Sequence, residues 1–175
     1  MIDKYVSSKS GGDRLLAVSA ALLESVGKRF QLFQVKRAKI NASDASERML
    51  ADIECVDARG EVVLAVEVKD RSLSVTQVLH KMPGLLAGRV SEILFIAQKG
   101  VETGSQEEVR ELVMKEFSSG QNVYIFDLPQ FAKSLLALLG EGGRRDFIES
   151  VGRHLDEYSS AVQHRRTWAE LLKQY

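Results

Sequence analysis

Residues 61–70 read EVVLAVEVKD, an apolar and mostly β-branched run that ends in charge. Such a run predicts a strand over residues 62–69 that is covered on both faces, as in the centre of a sheet. Side chains alternate between faces along a strand, so Glu67 and Lys69 share one face and Val68 lies on the other. Because a core strand needs no charge for packing, Glu67 and Lys69 mark a candidate site.

A second strand is predicted just upstream, from about residue 50 to residue 56. Between the two strands, residues 57–60 read DARG, and Asp first with Gly fourth is typical of a type I turn. The two strands therefore form a predicted hairpin. A four-residue loop places Asp52 opposite Glu67, on the face of Lys69, whereas a three-residue loop with a bulge turns Asp52 away. The sequence leaves both registers open.

The other elements follow from hydrophobic periodicity, capping signals and turn residues. Pro83-Gly84 is expected to kink or end the helix that contains it. The predicted elements are helix 11–28, strand 30–40, loop 41–46, a helix from Ser74 to about Gly88, strand 93–97, helix 106–117, strand 122–127, helix 129–139 and, after a break at 141–143, helical segments 145–158 and 162–173.

This order predicts an α/β (α+β) fold with an αβββαβ core. Three successive strands imply an antiparallel meander, and the later alternation of strands and helices implies parallel additions, giving a mixed sheet with helices on both faces. We assign residues 1–140 to the core. Residues 141–175 form a helical C-terminal extension that is expected to pack on the core or at a dimer interface.

The composition is that of one globular domain, with 175 residues, 45% hydrophobic and 27% charged. The 24 basic residues balance 24 acidic ones, so any nucleic-acid surface must be local. Cys55 has no partner for an internal disulfide, which fits a reducing cytoplasm. No apolar stretch is long enough for a membrane span and no signal peptide opens the chain, so we expect a cytoplasmic protein. A start so close to a helix cap also fits a piece of a longer protein.

Asp52, Glu67 and Lys69 together suit phosphodiester hydrolysis. That reaction needs an activated water and neutralisation of charge on the phosphate, which magnesium ions and a lysine can supply. Magnesium prefers hard oxygen ligands and keeps several waters, so two carboxylates and the carbonyl of Val68 suffice. The alternative is a surface ion pair between Glu67 and Lys69 at a strand end.

Asp52 with Glu67-Val68-Lys69, in an α-β-β-β-α-β order over residues 11–127, resembles the PD-(D/E)xK nuclease superfamily of restriction enzymes and junction resolvases. The resemblance implies that Asp52 and Glu67 bind Mg²⁺ and that Lys69 assists catalysis. Ala51 stands where the family often has proline, but that position is not a ligand.

The chain is also similar to the catalytic C-terminal part of SacI-like type II restriction endonucleases. The similarity rests on a strand ending in Val66-Glu67-Val68, a following basic residue, a helix and a second buried strand. The tail segments 156–158 (DEY) and 168–170 (WAE) are similar as well. This implies a domain of a longer enzyme or a compact relative.

Several further residues are secondary candidates. Gln77 lies one helical turn beyond the lysine strand, where some nucleases place a glutamine near the site, but a capping box explains it equally well. Arg71 and Lys81 lie near the predicted site and are expected to bind DNA phosphates. Whether Glu54, Asp13 or Glu24 contributes to the site is left open. The three histidines lack ligand spacing for zinc, and the glycine pairs lack a P-loop context.

The leading hypothesis is a magnesium-dependent endodeoxyribonuclease of a restriction or genome-defence system. One alternative is a junction-resolving or repair nuclease that recognises DNA shape. Another is a non-catalytic DNA-binding or assembly module of the same fold. Because cleavage of both strands usually takes two symmetric sites, a homodimer is also expected.

Overall fold

A five-stranded mixed sheet forms the centre of the structure, a computed structural model that describes residues 1–8, 10, 12–37, 49–158 and 161–174. In chain order the elements are α1 (Ile2–Val6), α2 (Asp13–Phe30), β1 (Gln34–Arg37), β2 (Ile53–Val56), β3 (Val62–Lys69), α3 (Val75–Ala87), β4 (Glu92–Ala97), α4 (Gln106–Ser118), β5 (Asn122–Asp127), α5 (Leu128–Tyr158) and α6 (Val162–Leu172). The loop expected at 41–46 and the end of the strand expected to reach residue 40 lie outside the described residues.

The sheet has the strand order β1-β2-β3-β4-β5. The strands β1, β2 and β3 pair antiparallel, and β3, β4 and β5 pair parallel. The predicted meander with parallel additions is therefore confirmed. As its apolar sequence predicted, β3 lies in the middle of the sheet.

Helices cover both faces of the sheet, as expected, because β3 presents apolar side chains to each side. One face carries Ile53 and Val66 and packs with residues of α2, α5 and α6. The other face carries Ala65 and packs with residues of α3 and α4, among them Val78 and Leu112. Side chains two residues apart on a strand share a face, so Glu67 and Lys69 project from the same face as Ala65, toward α3.

The hairpin turn between β2 and β3 forms as its sequence predicted. The Gly60 N–H donates to the Asp57 carbonyl at 3.0 Å, which closes the turn. The Asp57 carboxylate also accepts from the N–H groups of Arg59 and Glu61, at 2.8 and 3.0 Å. Gly60 has a φ of 85°, a conformation that costs glycine little. Local side-chain hydrogen bonds thus fix the turn, and a one-residue shift in the pairing between Cys55 and Val56 separates the turn from the candidate site.

One helix contains a proline, and another contains a break that lies just before the predicted residues 141–143. The helix α3 continues through Pro83 to Ala87, which confirms the predicted end at about Gly88, and the proline does not end it. Proline removes only the bond to the carbonyl of Leu79, and that residue is half exposed, so water can replace the lost donor. In α5 the break falls at Gly140, whose φ of 64° and ψ of −168° are not helical, and helical geometry resumes at once.

The C-terminal helices pack on the same core as the rest of the chain. The Trp168 ring is fully buried and makes edge contacts with Tyr5 and Phe147, at centroid distances of 5.0 and 6.3 Å. Asp13 of α2, whose part in the candidate site was left open, is a buried acid that contacts Arg37 at 3.2 Å and His164 of α6 at 2.9 Å. Among the described helices, none has the length and apolarity to cross a membrane.

Candidate active site

The end of β3 positions the acid and the lysine of the candidate site. The Glu67 side chain is almost fully buried, with 3% of its surface exposed, whereas 28% of the Lys69 side chain is exposed. The Lys69 Nζ atom donates a hydrogen bond to Glu67 Oε2 at 3.0 Å. This contact places a buried carboxylate behind an ammonium that reaches solvent.

The hairpin register brings Asp52 to the same place. Ile53 pairs with Val66, so the preceding residue, Asp52, falls beside Glu67. The Val68 N–H donates to Asp52 Oδ2 at 2.9 Å, which fixes the aspartate at the edge of β3. Near the turn, the Asp57 N–H donates to the Glu61 carbonyl and Val56 pairs with Val62, a register that would set Asp52 opposite Val66. The pairing shifts by one residue between Cys55 and Val56, and this shift brings Asp52 opposite Glu67. The loop is therefore the three-residue alternative, and the shift in the strands restores the register that joins the acids.

A second ammonium approaches Glu67 from α3. Lys81 Nζ lies 2.7 Å from Glu67 Oε1, and 28% of the Lys81 side chain is exposed. Although close, this contact lacks hydrogen-bond geometry, and the buried Oε1 atom has no hydrogen-bond donor in the described structure. Glu67 therefore has one hydrogen-bonded cation on Oε2 and one purely ionic neighbour at Oε1.

Burial and mutual charge shift the pKa values of this cluster. Burial, and secondly the charge of Glu67, raise the pKa of Asp52, although the Val68 N–H and the two lysines oppose the shift. Burial disfavours the charge of Lys69, but attraction to Glu67 outweighs it and raises the pKa of Lys69 above its ordinary value. Lys69 is therefore an ammonium at neutral pH, suited to stabilising negative charge and not to abstracting a proton.

The carbonyl of Val68 is directed to the same side as Asp52. The N–H and C=O of one strand residue point toward the same neighbour, and the Val68 N–H points at Asp52. The carbonyl of the next residue, Lys69, accepts instead from Gln98 on the β4 side. The Val68 carbonyl and Asp52 thus lie on the β2 side of β3, where Asp52 stands beside Glu67.

Gln77 caps α3, which is the capping-box role predicted for it beside a possible place near the site. Its Oε1 atom accepts from the Ser74 N–H at 3.0 Å, and its own N–H donates to the Ser74 hydroxyl at 3.3 Å. Glu54 also serves the backbone, since its Oε1 atom accepts from the Leu50 N–H at 2.6 Å. All three hydrogen bonds are local, so neither Gln77 nor Glu54 is directed at the acid pair through them.

Arg71 is an exposed cation near the site, with 76% of its side chain exposed and a contact of 3.5 Å to Asp70. Lys81, expected on a phosphate-binding surface, instead has its ammonium against Glu67. Lys81 was predicted to lie near the site, but its contact with Glu67 was not predicted, because it depends on how α3 packs on the sheet. The available signal was its position four residues after Gln77, on the same face of the helix.

Asp13 and Glu24, the two acids of α2, have partners on the C-terminal helices and on β1. Glu24 contacts His154 and Arg153 of α5, at 3.0 and 2.8 Å. Helix α2 covers the face of the sheet opposite to Glu67, so these acids belong to the packing of the C-terminal helices.

The donor set can be compared with what magnesium requires. No group of three or more His, Cys, Asp or Glu side chains in the described ranges is arranged to hold a metal ion. Magnesium needs fewer protein ligands, because it keeps several waters and is often bound by one or two carboxylates. Asp52, the hydrogen-bond-free Oε1 atom of Glu67 and the Val68 carbonyl fit this requirement.

The mixed sheet has flanking helices, an acid and a lysine at the end of its central strand, and a second acid just before the neighbouring strand β2. These features define a restriction-endonuclease-like α+β domain. A protein-family model described as SacI restriction endonuclease C-terminal domain matches residues 1–101. The match covers more than half of the chain, which therefore belongs to this family. No curated protein matches the chain. The matched range includes Asp52, Glu67, Lys69 and Lys81.

Proposed function

We propose that this chain is a magnesium-dependent endodeoxyribonuclease of the PD-(D/E)xK superfamily, which hydrolyses DNA phosphodiester bonds in a restriction or genome-defence system. The observation that carries the proposal is the hydrogen bond from the Val68 N–H to Asp52, which holds that acid beside Glu67 and Lys69. Membership in a family named for a restriction endonuclease supports the choice of substrate.

Asp52, Glu67 and the Val68 carbonyl would hold Mg²⁺, which when bound neutralises phosphate charge and lowers the pKa of a water ligand. Lys69 contributes a fixed positive charge. Its ammonium is oriented by Glu67 Oε2 and partly exposed, so it can contact a phosphate oxygen or orient the attacking water. Asp52 is oriented by the Val68 N–H, which leaves its second oxygen for the ion.

Arg71 supplies an exposed cation near the site and would contact the DNA backbone. Such a contact is independent of base sequence and weakens as salt increases. Cleavage of both strands requires a second site, which we expect from a homodimer or from a longer enzyme that includes this domain.

The experiment is cleavage of supercoiled plasmid and of total genomic DNA by the purified chain, with magnesium or with a chelator. The wild type should nick or cut DNA only with magnesium. Lys69→Ala should lower the rate about a hundredfold to a thousandfold, the usual cost of one transition-state donor. Since Lys81 still faces Glu67, the variant should lose only about 1 kcal/mol of stability, or about 2–4 °C in Tm.

Lys115→Ala is the matched control, because Lys115 is an exposed lysine on α4. It should cleave like the wild type. Full activity in Lys69→Ala would overturn the assigned site, and cleavage in the presence of chelator would overturn the role of magnesium. Faster cutting of branched than of linear DNA would instead favour a resolving or repair nuclease.

A second candidate function is a non-catalytic DNA-binding or assembly module of the same fold. The specific observation in its favour is that two lysines already neutralise the buried Glu67 carboxylate. Such a module would bind DNA in a mobility-shift assay and show no magnesium-dependent cleavage of any substrate above.

A further inference from the structure

Lys81 occupies the position at Glu67 that a divalent cation needs. The buried neighbours Val78, Met82 and Leu85 anchor α3 on the sheet, which fixes the backbone of Lys81 over the end of β3. From there its ammonium reaches Glu67 Oε1 at 2.7 Å. Its charge also acts on Asp52, so it lies within range of both acids.

The two lysines hold Glu67 in different ways. Lys69 makes a hydrogen bond to Oε2, whereas Lys81 faces Oε1 without hydrogen-bond geometry. The two side chains are equally exposed, at 28%, so we expect Lys81 to be the exchangeable partner only because it lacks the directional hydrogen bond that Lys69 makes. The Lys81 side chain is partly exposed on a flexible four-carbon stem, so its ammonium has a route to solvent.

An ammonium and a metal ion compete directly for Oε1. Magnesium binds carboxylate oxygens at about 2.0–2.1 Å. An ammonium near the same oxygen repels the ion and occupies the volume of its water ligands. Metal binding at Glu67 therefore requires Lys81 to leave, while Lys69 keeps its bond to Oε2.

We propose that Lys81 is a built-in competitor that occupies the metal-facing oxygen of Glu67 and thereby sets the metal affinity of the site. This inference rests on the proposed function, since it assumes that Glu67 binds a divalent cation. It gives Lys81 a role in controlling metal binding at Glu67, separate from any contact with DNA.

The experiment measures Mn²⁺ binding to the full chain without DNA, by electron paramagnetic resonance of free Mn²⁺ and by calorimetry. Lys81→Met removes the competing charge and keeps the apolar stem, so it should bind Mn²⁺ about tenfold more tightly, equivalent to about 1.4 kcal/mol. Lys81→Arg keeps a cation and should stay within about threefold of the wild type, a difference below 1 kcal/mol.

Lys115→Met controls for the loss of one positive charge, and Glu67→Gln should abolish binding. Unchanged or weaker Mn²⁺ binding by Lys81→Met, beside a wild type that binds, overturns the role of Lys81 and leaves the proposed function standing. If neither protein binds Mn²⁺, the metal-dependent function itself fails. If Lys81→Met does not fold, Lys81→Gln replaces it with the same expected outcomes.

Discussion

Substitution of Glu24 by glutamine tests the charged contact that holds the C-terminal helices against α2. Glu24 faces the His154 ring at 3.0 Å and Arg153 at 2.8 Å, and it accepts a hydrogen bond from the Ser150 hydroxyl. The hydrogen bond with His154, followed by those from Ser150 and Arg153, outweighs burial and lowers the pKa of Glu24 to about 2.

The expected loss of stability follows from that pKa. The difference between the ordinary value of 4.5 and about 2, at about 1.36 kcal/mol per pKa unit, corresponds to about 3 kcal/mol. Because 32% of the side chain is exposed, solvent screening reduces this to about 1–2 kcal/mol. For a domain of this size, Glu24→Gln should lower Tm by about 2–8 °C at neutral pH.

The pH dependence has a definite sign. A carboxylate whose pKa is lowered in the folded state stabilises the protein above its unfolded pKa, and that contribution disappears as the pH falls through the folded value. The difference in free energy of unfolding between wild type and Glu24→Gln should therefore be full at neutral pH. It should shrink as the pH falls from 4.5 to about 2.

The assay is urea denaturation followed by fluorescence of Trp168, the single tryptophan, which is buried on the C-terminal helix α6. Glu157→Gln, at an exposed position on α5, is the matched control and should match the wild type. A Glu24→Gln protein as stable as the wild type at neutral pH would refute the reasoning. So would a stability difference that stays constant down to about pH 3.

Two further predictions concern the candidate site. Burial and the charge of Glu67 raise the pKa of Asp52, so its contribution to stability is present at low pH and lost as the pH rises through the folded value. Asp52→Asn keeps an oxygen for the Val68 N–H, so it should raise Tm at pH 7 and abolish cleavage; a lower Tm would contradict this. Gln77→Ala should cost about 1 kcal/mol, as Ser74→Ala should, because both remove the same cap. A folded Gln77→Ala protein that cleaves more than about tenfold slower than Ser74→Ala, a difference of about 1.4 kcal/mol, would restore a role in the site.

Local sequence was sufficient to predict most of the fold. The apolar run of β3 predicted a central strand because only a strand covered on both faces is apolar throughout. Asp57 and Gly60 predicted the turn because their own hydrogen bonds and φ angle stabilise it. The end of α3 near Gly88 was predicted correctly, but Pro83 does not end the helix, because its effect depends on whether the freed Leu79 carbonyl reaches water.

The candidate site, too, was predicted from the sequence only in part. The alternation of side chains along a strand was enough to put Glu67 and Lys69 on one face, since that property belongs to the strand alone. Contacts between elements needed the tertiary structure. Asp52 joins them through the pairing register, and Lys81 reaches Glu67 through the packing of α3 on the sheet, because residues distant in sequence meet only when whole elements pack together.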